Sequence, residues 1–338
     1  FRIYGYNNIP MPEKSNTIYP KNTGISLNEL IQKVSDFLAA KGFSEIMCNS
    51  LNSMQWYEKA GGYPLENIVN IQNPLSRELN VMRYSMLPGM LQSAAYNINR
   101  NTANLKFFEP GKTYVKNTTD KEKPVTARFS ETNMLSLLMT GSERPENWKY
   151  TAETSDFFSI KSAIEDLFDF LGIINSVVAR TEVNHQFTFG MTYMLNEKPL
   201  AAFGLVKNEL RTLSDVDNEI WYAELNLDLL LKKVRKTSMR YQDIPKYPAV
   251  RRDLALLIDS SITFESIQKA ALGAEKKLLK KVDLFDVYID KKLGDNKKSY
   301  AVSFMFRHDE KTLTDAEVDK AMDRITTEVL KVTGGVIR

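Results

Sequence analysis

Few side chains in this sequence could carry out acid–base or nucleophilic chemistry. The 338 residues include two histidines, His185 and His308, and one cysteine, Cys48. A single thiol forbids an internal disulfide and any multi-thiolate metal site, and two distant histidines do not make a zinc cluster. His185 has no Asp, Ser or Cys at a spacing that would make it a base, so it reads as a surface or loop residue. His308 precedes Asp309 and Glu310, but HDEK falls between a strand and a helix and reads as a charged loop. Cys48 sits in the apolar run FSEIMCNSL, a strand candidate, and reads as an inert core thiol. The stretch that invites chemistry is residues 104–114, NLKFFEPGKTY. It starts as an apolar strand and then carries an acid, Glu109, before a Pro-Gly pair that reads as a turn.

Making an acyl adenylate forces a carboxylate against the α-phosphate of ATP, and a fixed guanidinium must steady the developing charge. In enzymes that adenylate a carboxylate, such a strand normally carries an arginine two positions before the glutamate. Here that position is Phe107. Lys106 is one residue off, which in a strand means the opposite face, and lysine lacks the planar fork. A second arginine would come from a Gly-rich strand entering a helix. The segment LAAFGLVKNELR (200–211) has one glycine, and Arg211 alone does not restore the pattern. Each missing contact costs about 3–4 kcal/mol of transition-state stabilisation. The strand is therefore expected to be inert, with Glu109 and Arg83 pairing or capping inside the fold.

Charge is the other signal. Residues 1–239 hold 26 Lys+Arg and 26 Asp+Glu, while residues 240–338 hold 19 and 16, so the net +3 lies wholly in the last 99 residues. That hints at an anionic partner there. KKLLKK (276–281) and KKLGDNKK (291–298) are expected to cluster Lys291, Lys292, Lys297 and Lys298 near one end of a sheet, joined by Arg251, Arg252, Arg307 and Lys311. Tyr288, expected on the face opposite Phe285 and Val287, is the exposed aromatic suited to meet a base.

The elements that must position these residues are legible. Hydrophobic content of 43%, 26% charge and no run of 18–20 apolar residues describe a globular chain of two or more domains in a reducing, cytoplasmic setting. FRIYGYNNIP lacks the apolar core of a signal peptide and reads as the inside of a longer protein. Residues 1–25 read as a tail and connector. Ser26 and Glu29 form a capping-box pattern ahead of a helix whose Leu27, Leu30, Ile31, Val34, Phe37 and Leu38 recur at helical spacing. That apolar face serves either as core or as a contact with a second subunit, and its place in the fold favours the contact for Leu30, Val34, Phe37 and Leu38. Helices are expected in 84–100 and over FFSIKSAIEDLFDFLG. Strands are expected in KFFEPGKTYV, NMLSLLMTG, 175–183, 191–196, 200–206 and 219–225. The result is an α+β domain, 26–236, with a mixed or antiparallel sheet. The stretch LKKVRKTSMRYQDIPKYPAV reads as a linker, with its boundaries at 237–247. Residues 248–338 then run β-α-β-β-α-β, a ferredoxin-like unit.

In that order, RIYGYNNIP, NPLSRELNVMRYSMLPGMLQSAAYNINRN, KFFEPGKTY, YPAVRRDLALLID, LFDVY, KSYAVSFMFR, TLTDAEV and GGVIR resemble the β chain of bacterial phenylalanyl-tRNA synthetases. The resemblance covers nearly the whole chain, apart from 116–155 and NHQFTFGM. It implies a class II synthetase-like but non-catalytic module followed by a ferredoxin-fold anticodon-binding domain. It implies partners, an α subunit in an (αβ)2 tetramer and tRNA(Phe), and an enzyme that uses ATP and Mg2+, with neither held by this part of the chain. Editing and structural Mg2+ sites are expected upstream of Phe1. RNA contact through lysines and arginines would be mainly to phosphates. Where the family has an arginine before TLTD this chain has Lys311, which weakens any bidentate contact inferred there. Two rivals remain at this point: a free-standing class II adenylating enzyme, and a regulatory protein that binds a small metabolite.

Overall fold

The structure is a computed structural model that describes residues 1–11, 13–14, 24–117, 124–144, 146–182, 184–237, 241, 243–290, 293–294 and 296–338. The chain divides into two compact units, Phe1–Met239 and Arg240–Arg338.

Unit 1 is a helix-covered sheet. Its helices are α1 (Leu27–Ala40), α2 (Met54–Ala60), α3 (Leu87–Ile98), α4 (Phe157–Phe170), α5 (Asn208–Thr212) and α6 (Leu227–Val234). Its strands are β1 (Ser44–Glu45), β2 (Leu51–Asn52), β3 (Val81–Met82), β4 (Leu105–Lys116), β5 (Phe129–Thr140), β6 (Ser142–Arg144), β7 (Glu153–Thr154), β8 (Val178–Arg180), β9 (Phe187–Leu195), β10 (Lys198–Val206) and β11 (Trp221–Asn226). Seven of them form one sheet in the order β1-β4-β5-β11-β10-β9-β8, parallel only between β1 and β4. Both faces are covered, so neighbouring Phe107 and Phe108 are both buried, each in a different core. Phe108 joins the core under α1, α4 and α6, and Phe107 joins the one under α2 and α3.

Three local expectations change. Pro110-Gly111 makes no turn, and β4 runs straight through it. The main-chain groups of Phe108, Lys112 and Tyr114 point away from β5, toward Ile46, Arg83 Nε and the Arg83 carbonyl. Pro110 shares their parity, so its missing N–H lies on the side that β5 does not use. FSEIMCNSL is not one strand, since only Ser44–Glu45 and Leu51 within it pair, and Cys48 lies between them. The supposed linker starts as helix, because the Asn226 side chain accepts from Leu229 N at 2.9 Å and starts α6.

Unit 2 runs β12 (Val250–Asp259), α7 (Phe264–Ala274), β13 (Leu279–Tyr288), β14 (Lys297–Phe306), α8 (Asp315–Thr333), β15 (Val336–Ile337). The sheet order is β13-β14-β12-β15, antiparallel throughout. Tyr300, Val302, Phe304 and Phe306 share a core with Val318, Ala321, Ile325 and Val329 of α8. Alternation along β14 leaves Ser299, Ala301, Ser303 and Met305 on the face without helices.

Candidate functional site

On the α2/α3 side of unit 1, the acid of NLKFFEPGKTY is engaged. Arg83 Nη1 donates to Glu109 Oε1 at 2.8 Å, with side chains 5% and 2% exposed. Arg83 Nε donates to the Lys112 carbonyl at 2.7 Å. The guanidinium lies over Gly111, where a Cβ would meet Nη2 at 2.2 Å. An arginine thus occupies the face of β4 that Phe107, Glu109 and Gly111 share, but all of it is committed to the fold. Phe107 itself belongs to a core with Trp56, Tyr57, Tyr63 and Tyr222. Glu109 Oε2 is buried without a hydrogen-bond partner among the described residues. Burial pushes the Cys48 thiol up to about 12, the Ser93 hydroxyl opposing and the Glu109 charge adding, which leaves the thiol unreactive.

The rest of this face is a buried polar network, in which Tyr222 Oη, His185 Nε2 and Arg211 Nε have no hydrogen-bond partner among the described residues. Glu224 Oε1 accepts from Ser85 Oγ at 2.9 Å and from Met86 N. Gln186 Nε2 donates to Ser85 Oγ at 2.9 Å and to Tyr63 Oη at 3.0 Å. Burial raises the Glu224 carboxyl above its usual range. Arg211 closes a loop, donating to the carbonyls of Asp217 and Asn218 and to Asn208 Oδ1. The other strand that runs straight into a helix, β11 into α6, carries no arginine. His185 lies in a turn before β9, as a loop residue, half-buried with its ring edge-on to Tyr63 at 4.3 Å. Among the described residues no three His, Cys, Asp or Glu side chains come together as a metal site.

Of the four residues expected at a subunit contact on α1, three lie in the unit's own core and Phe37 stays partly exposed. Leu30, Val34 and Leu38 are at most 1% exposed inside the unit's own core, and Phe37 stacks on Phe170 at 4.8 Å. Burial against α4 and the sheet leaves the three aliphatic side chains no surface for a second chain. The outward positions of α1 are Asn28, Glu29, Gln32, Lys33, Asp36, Ala39 and Ala40, polar except for the last two.

Unit 2 separates the nominated RNA-contacting residues into two groups. Lys297, Lys298 and Tyr288 stand at one end of the sheet, and Arg251, Arg252, Arg307 and Lys311 stand at the other, with KKLLKK. Ten-residue strands put these ends about 30 Å apart. Lys291 and Lys292 lie outside the described residues. Several of the cations are engaged. Arg252 pairs with Asp315 at 2.8 Å on the helix side, and Lys311 pairs with Glu317. Lys298 Nζ donates to the Ser260 carbonyl at 2.8 Å and lies 4.6 Å over Tyr300. Lys297 sits opposite Asp259, and Arg307 Nε lies 3.8 Å from Asp309.

The open face carries what sequence reasoning missed. A bulge between Leu284 and Asp286 inserts Phe285, which shifts the alternation by one. Asp286 and Tyr288 pair with Ala301 and Ser299 of the open face, and Phe285 lies beneath Arg251, whose Cζ is 5.0 Å from its ring. Phe285 and Tyr288 are thus on the same face, not opposite ones. Arg338 Cζ lies 5.7 Å over the Tyr288 ring, and Tyr288 Oη donates to Asp290 at 2.8 Å. Two arginine–aromatic pairs flank a floor of Ala255, Ala301, Ser299 and Ser303. Only the bulge was needed to see this, and a one-residue insertion leaves no mark in a hydrophobic pattern.

Unit 1 is thus a helix-covered sheet whose guanidinium over β4 is engaged, and unit 2 is a βαββαβ α+β unit with one sheet face free of helices. Residues 15–227 match the family model for the phenylalanyl tRNA synthetase beta chain CLM domain, and residues 245–338 match that for the ferredoxin-fold anticodon binding domain. The chain belongs to the phenylalanyl-tRNA synthetase β-chain family. A phenylalanine–tRNA ligase β subunit from Bacteroides fragilis is 39% identical over 342 residues, covering 100% of this chain and 42% of that protein. The Bacteroides thetaiotaomicron protein of that name is 40% identical over 329 residues, covering 96% and 40%. The one from Bacillus subtilis is 32% identical over 344 residues, covering 100% and 41%. The chain therefore spans 40–42% of the length of these relatives. Among solved structures, a Desulfitobacterium hafniense pyrrolysyl-tRNA synthetase aligns with a TM-score of 0.49 at 16% identity, over 63% of this chain and 70% of that one. No helix among the described residues is long and apolar enough to cross a membrane.

Proposed function

We propose that this chain is the assembly and RNA-holding part of a phenylalanine–tRNA ligase β subunit, working with an α subunit in an (αβ)2 enzyme of the cytoplasm. Unit 1 is read as a class II synthetase-like module that keeps the architecture and not the chemistry. The supporting observation is that the only guanidinium over β4 among the described residues is tied to Glu109 and to the Lys112 carbonyl. With no phosphate grip there, no step of adenylation is assigned to this chain, and ATP and Mg2+ are assigned to the partner subunit.

Unit 2 is read as the tRNA(Phe) anticodon contact. The observation that carries this is the open face, where Phe285 and Tyr288 offer rings to bases and Arg251 and Arg338 offer charge to phosphates. Neither rival reading draws support: the guanidinium over β4 is committed to the fold, and the ferredoxin-like unit matches an anticodon-binding family. The test is co-expression with the α subunit. The assembled enzyme should exchange pyrophosphate with phenylalanine and ATP, and this chain alone should not. Tyr288→Ala in the assembly should weaken tRNA(Phe) binding by about tenfold and leave the exchange intact. Exchange by the isolated chain, or tRNA affinity indifferent to Tyr288, would overturn the reading.

A further inference from the structure

Unit 1 has a cleft that the proposed function leaves unused. It measures about 690 Å³ and lies between α2, α3 and the segment around residues 46–53. That is the size range of small-molecule sites. Its walls mix apolar side chains such as Ile46, Trp56 and Leu213 with amides, one lysine and one glutamate. Helix α3 presents Gly89, Gln92, Ser93, Tyr96 and Asn97, which at i, i+3, i+4, i+7 and i+8 share a face. Helix α2 presents Gln55 and Lys59, and Glu78 stands on the lip.

What these groups already bind is informative. Asn97 Nδ2 donates to the Ser93 carbonyl at 2.8 Å, which leaves its amide oxygen available. The side chains of Gln55, Gln92, Lys59 and Glu78 engage no other group of the described chain. Lys59 and Glu78 line the same cleft without pairing with each other. Arg100 lies 3.5 Å over the Tyr96 ring and also donates to the Tyr96 carbonyl at 2.9 Å. One face of that ring is thus capped by a cation and held, and the other is free to take a flat guest.

An aromatic face, two unengaged amides, one ammonium and one carboxylate match the parts of a single molecule. The amides can read a heterocycle edge that has both donors and acceptors. The ammonium suits a phosphate as a point charge, and a carboxylate accepts from vicinal hydroxyls. We propose that this cleft binds a ribonucleotide. The base stacks on Tyr96 with its edge at Gln92 and Gln55, the phosphate goes to Lys59, and the ribose hydroxyls go to Glu78. The guest is either a free mononucleotide or one residue of an RNA strand. No catalysis is implied, and the Cys48 thiol at the cleft is held protonated by burial.

The experiment titrates the full chain with the four nucleoside monophosphates, their nucleosides and a five-residue single-stranded oligoribonucleotide, followed by calorimetry. Saturable binding in the millimolar range or tighter is expected. Tyr96→Ala and Gln92→Ala should each weaken it, the former by about tenfold. Lys59→Ala should weaken the monophosphate and spare the nucleoside. Tyr96 is 59% exposed, so its replacement leaves the core intact. The oligonucleotide binding more tightly than any monophosphate, still through Tyr96, identifies RNA as the source; the reverse order identifies a free nucleotide. No saturable binding by any probe, or binding that ignores Tyr96 and Gln92 and falls only with Tyr288→Ala, would overturn the proposal.

Discussion

Arg83 reaches over β4 and holds Glu109 at 2.8 Å, on the strand face where Phe107 stands in the place of a phosphate-gripping arginine. Both charges are nearly shut off from water. Such a pair gains little net stability over a well-packed apolar pair, yet losing one member strands the other. Its role here is positional. It ties the segment before α3 to the centre of the sheet and closes the space over β4.

Replacing Arg83 by Met should therefore cost about 3–5 kcal/mol of unit 1 stability. Glu109→Leu alone should cost a similar amount, and the double variant less than the sum of the two. Urea unfolding of the three variants measures the coupling. Strict additivity would mean that the two side chains do not depend on each other.

The reverse experiment asks whether the lost catalyst can be restored. Phe107→Arg puts a guanidinium into a core of Trp56, Tyr57, Tyr63 and Tyr222, where the acid two residues along, Glu109, already holds Arg83 and cannot neutralise a second cation. An unpaired buried charge of this kind costs several kcal/mol, on the order of a whole domain's margin. The variant should lose most of its unit 1 transition and gain no pyrophosphate exchange. A folded variant with measurable exchange would show that the site needed only its arginine.

These expectations separate what a sequence can reveal from what it hides. The capping box at Ser26 and Glu29 and the α1 stripe were readable because a helix repeats locally, and so was the order of elements in unit 2. The pairing of Arg83 with Glu109 followed from the absence of any other use for either. The side of the sheet on which Phe285 falls was not readable, since an inserted residue changes pairing and not pattern. The two lysine runs also look alike in sequence. One follows a helix and the other spans a hairpin, which places them at opposite ends of a strand. The burial of Leu30, Val34 and Leu38 was undecided because core and interface share one composition.

Two carboxyls should make the two units respond to pH in opposite directions. In unit 1, burial holds the Glu224 carboxyl above its unfolded value of 4.5. Its contribution is complete below 4.5 and is lost as pH rises through the elevated folded value. In unit 2, the bond from Lys311 and then those from Thr314 lower Glu317 to about 2. Its contribution is present above 4.5 and is lost as pH falls toward 2. Glu224→Gln should flatten the first dependence and Glu317→Gln the second. Thermal unfolding of each variant between pH 2 and 7 reads both, and unchanged profiles would assign the dependence to other groups.

The cations of unit 2 should differ in what they do for RNA, although the sequence presents them as one basic set. Arg252 spans to Asp315 and Asp319 on α8, and Lys298 is bonded to the Ser260 carbonyl on the helix side. Their replacement by Ala should change the stability of unit 2 more than tRNA affinity. Arg251 stands on the open face over Phe285, although it also bonds Asp253 at 2.7 Å. Arg251→Ala in the assembled enzyme should weaken tRNA(Phe) binding at low salt and reduce the salt slope by about one. Lys297→Ala, at the other end of the sheet, should act the same way only if the RNA runs the full length of the strands. Salt titrations of the four variants sort them. A slope change for Arg252→Ala equal to that of Arg251→Ala would mean that the helix side, not the open face, meets the phosphates.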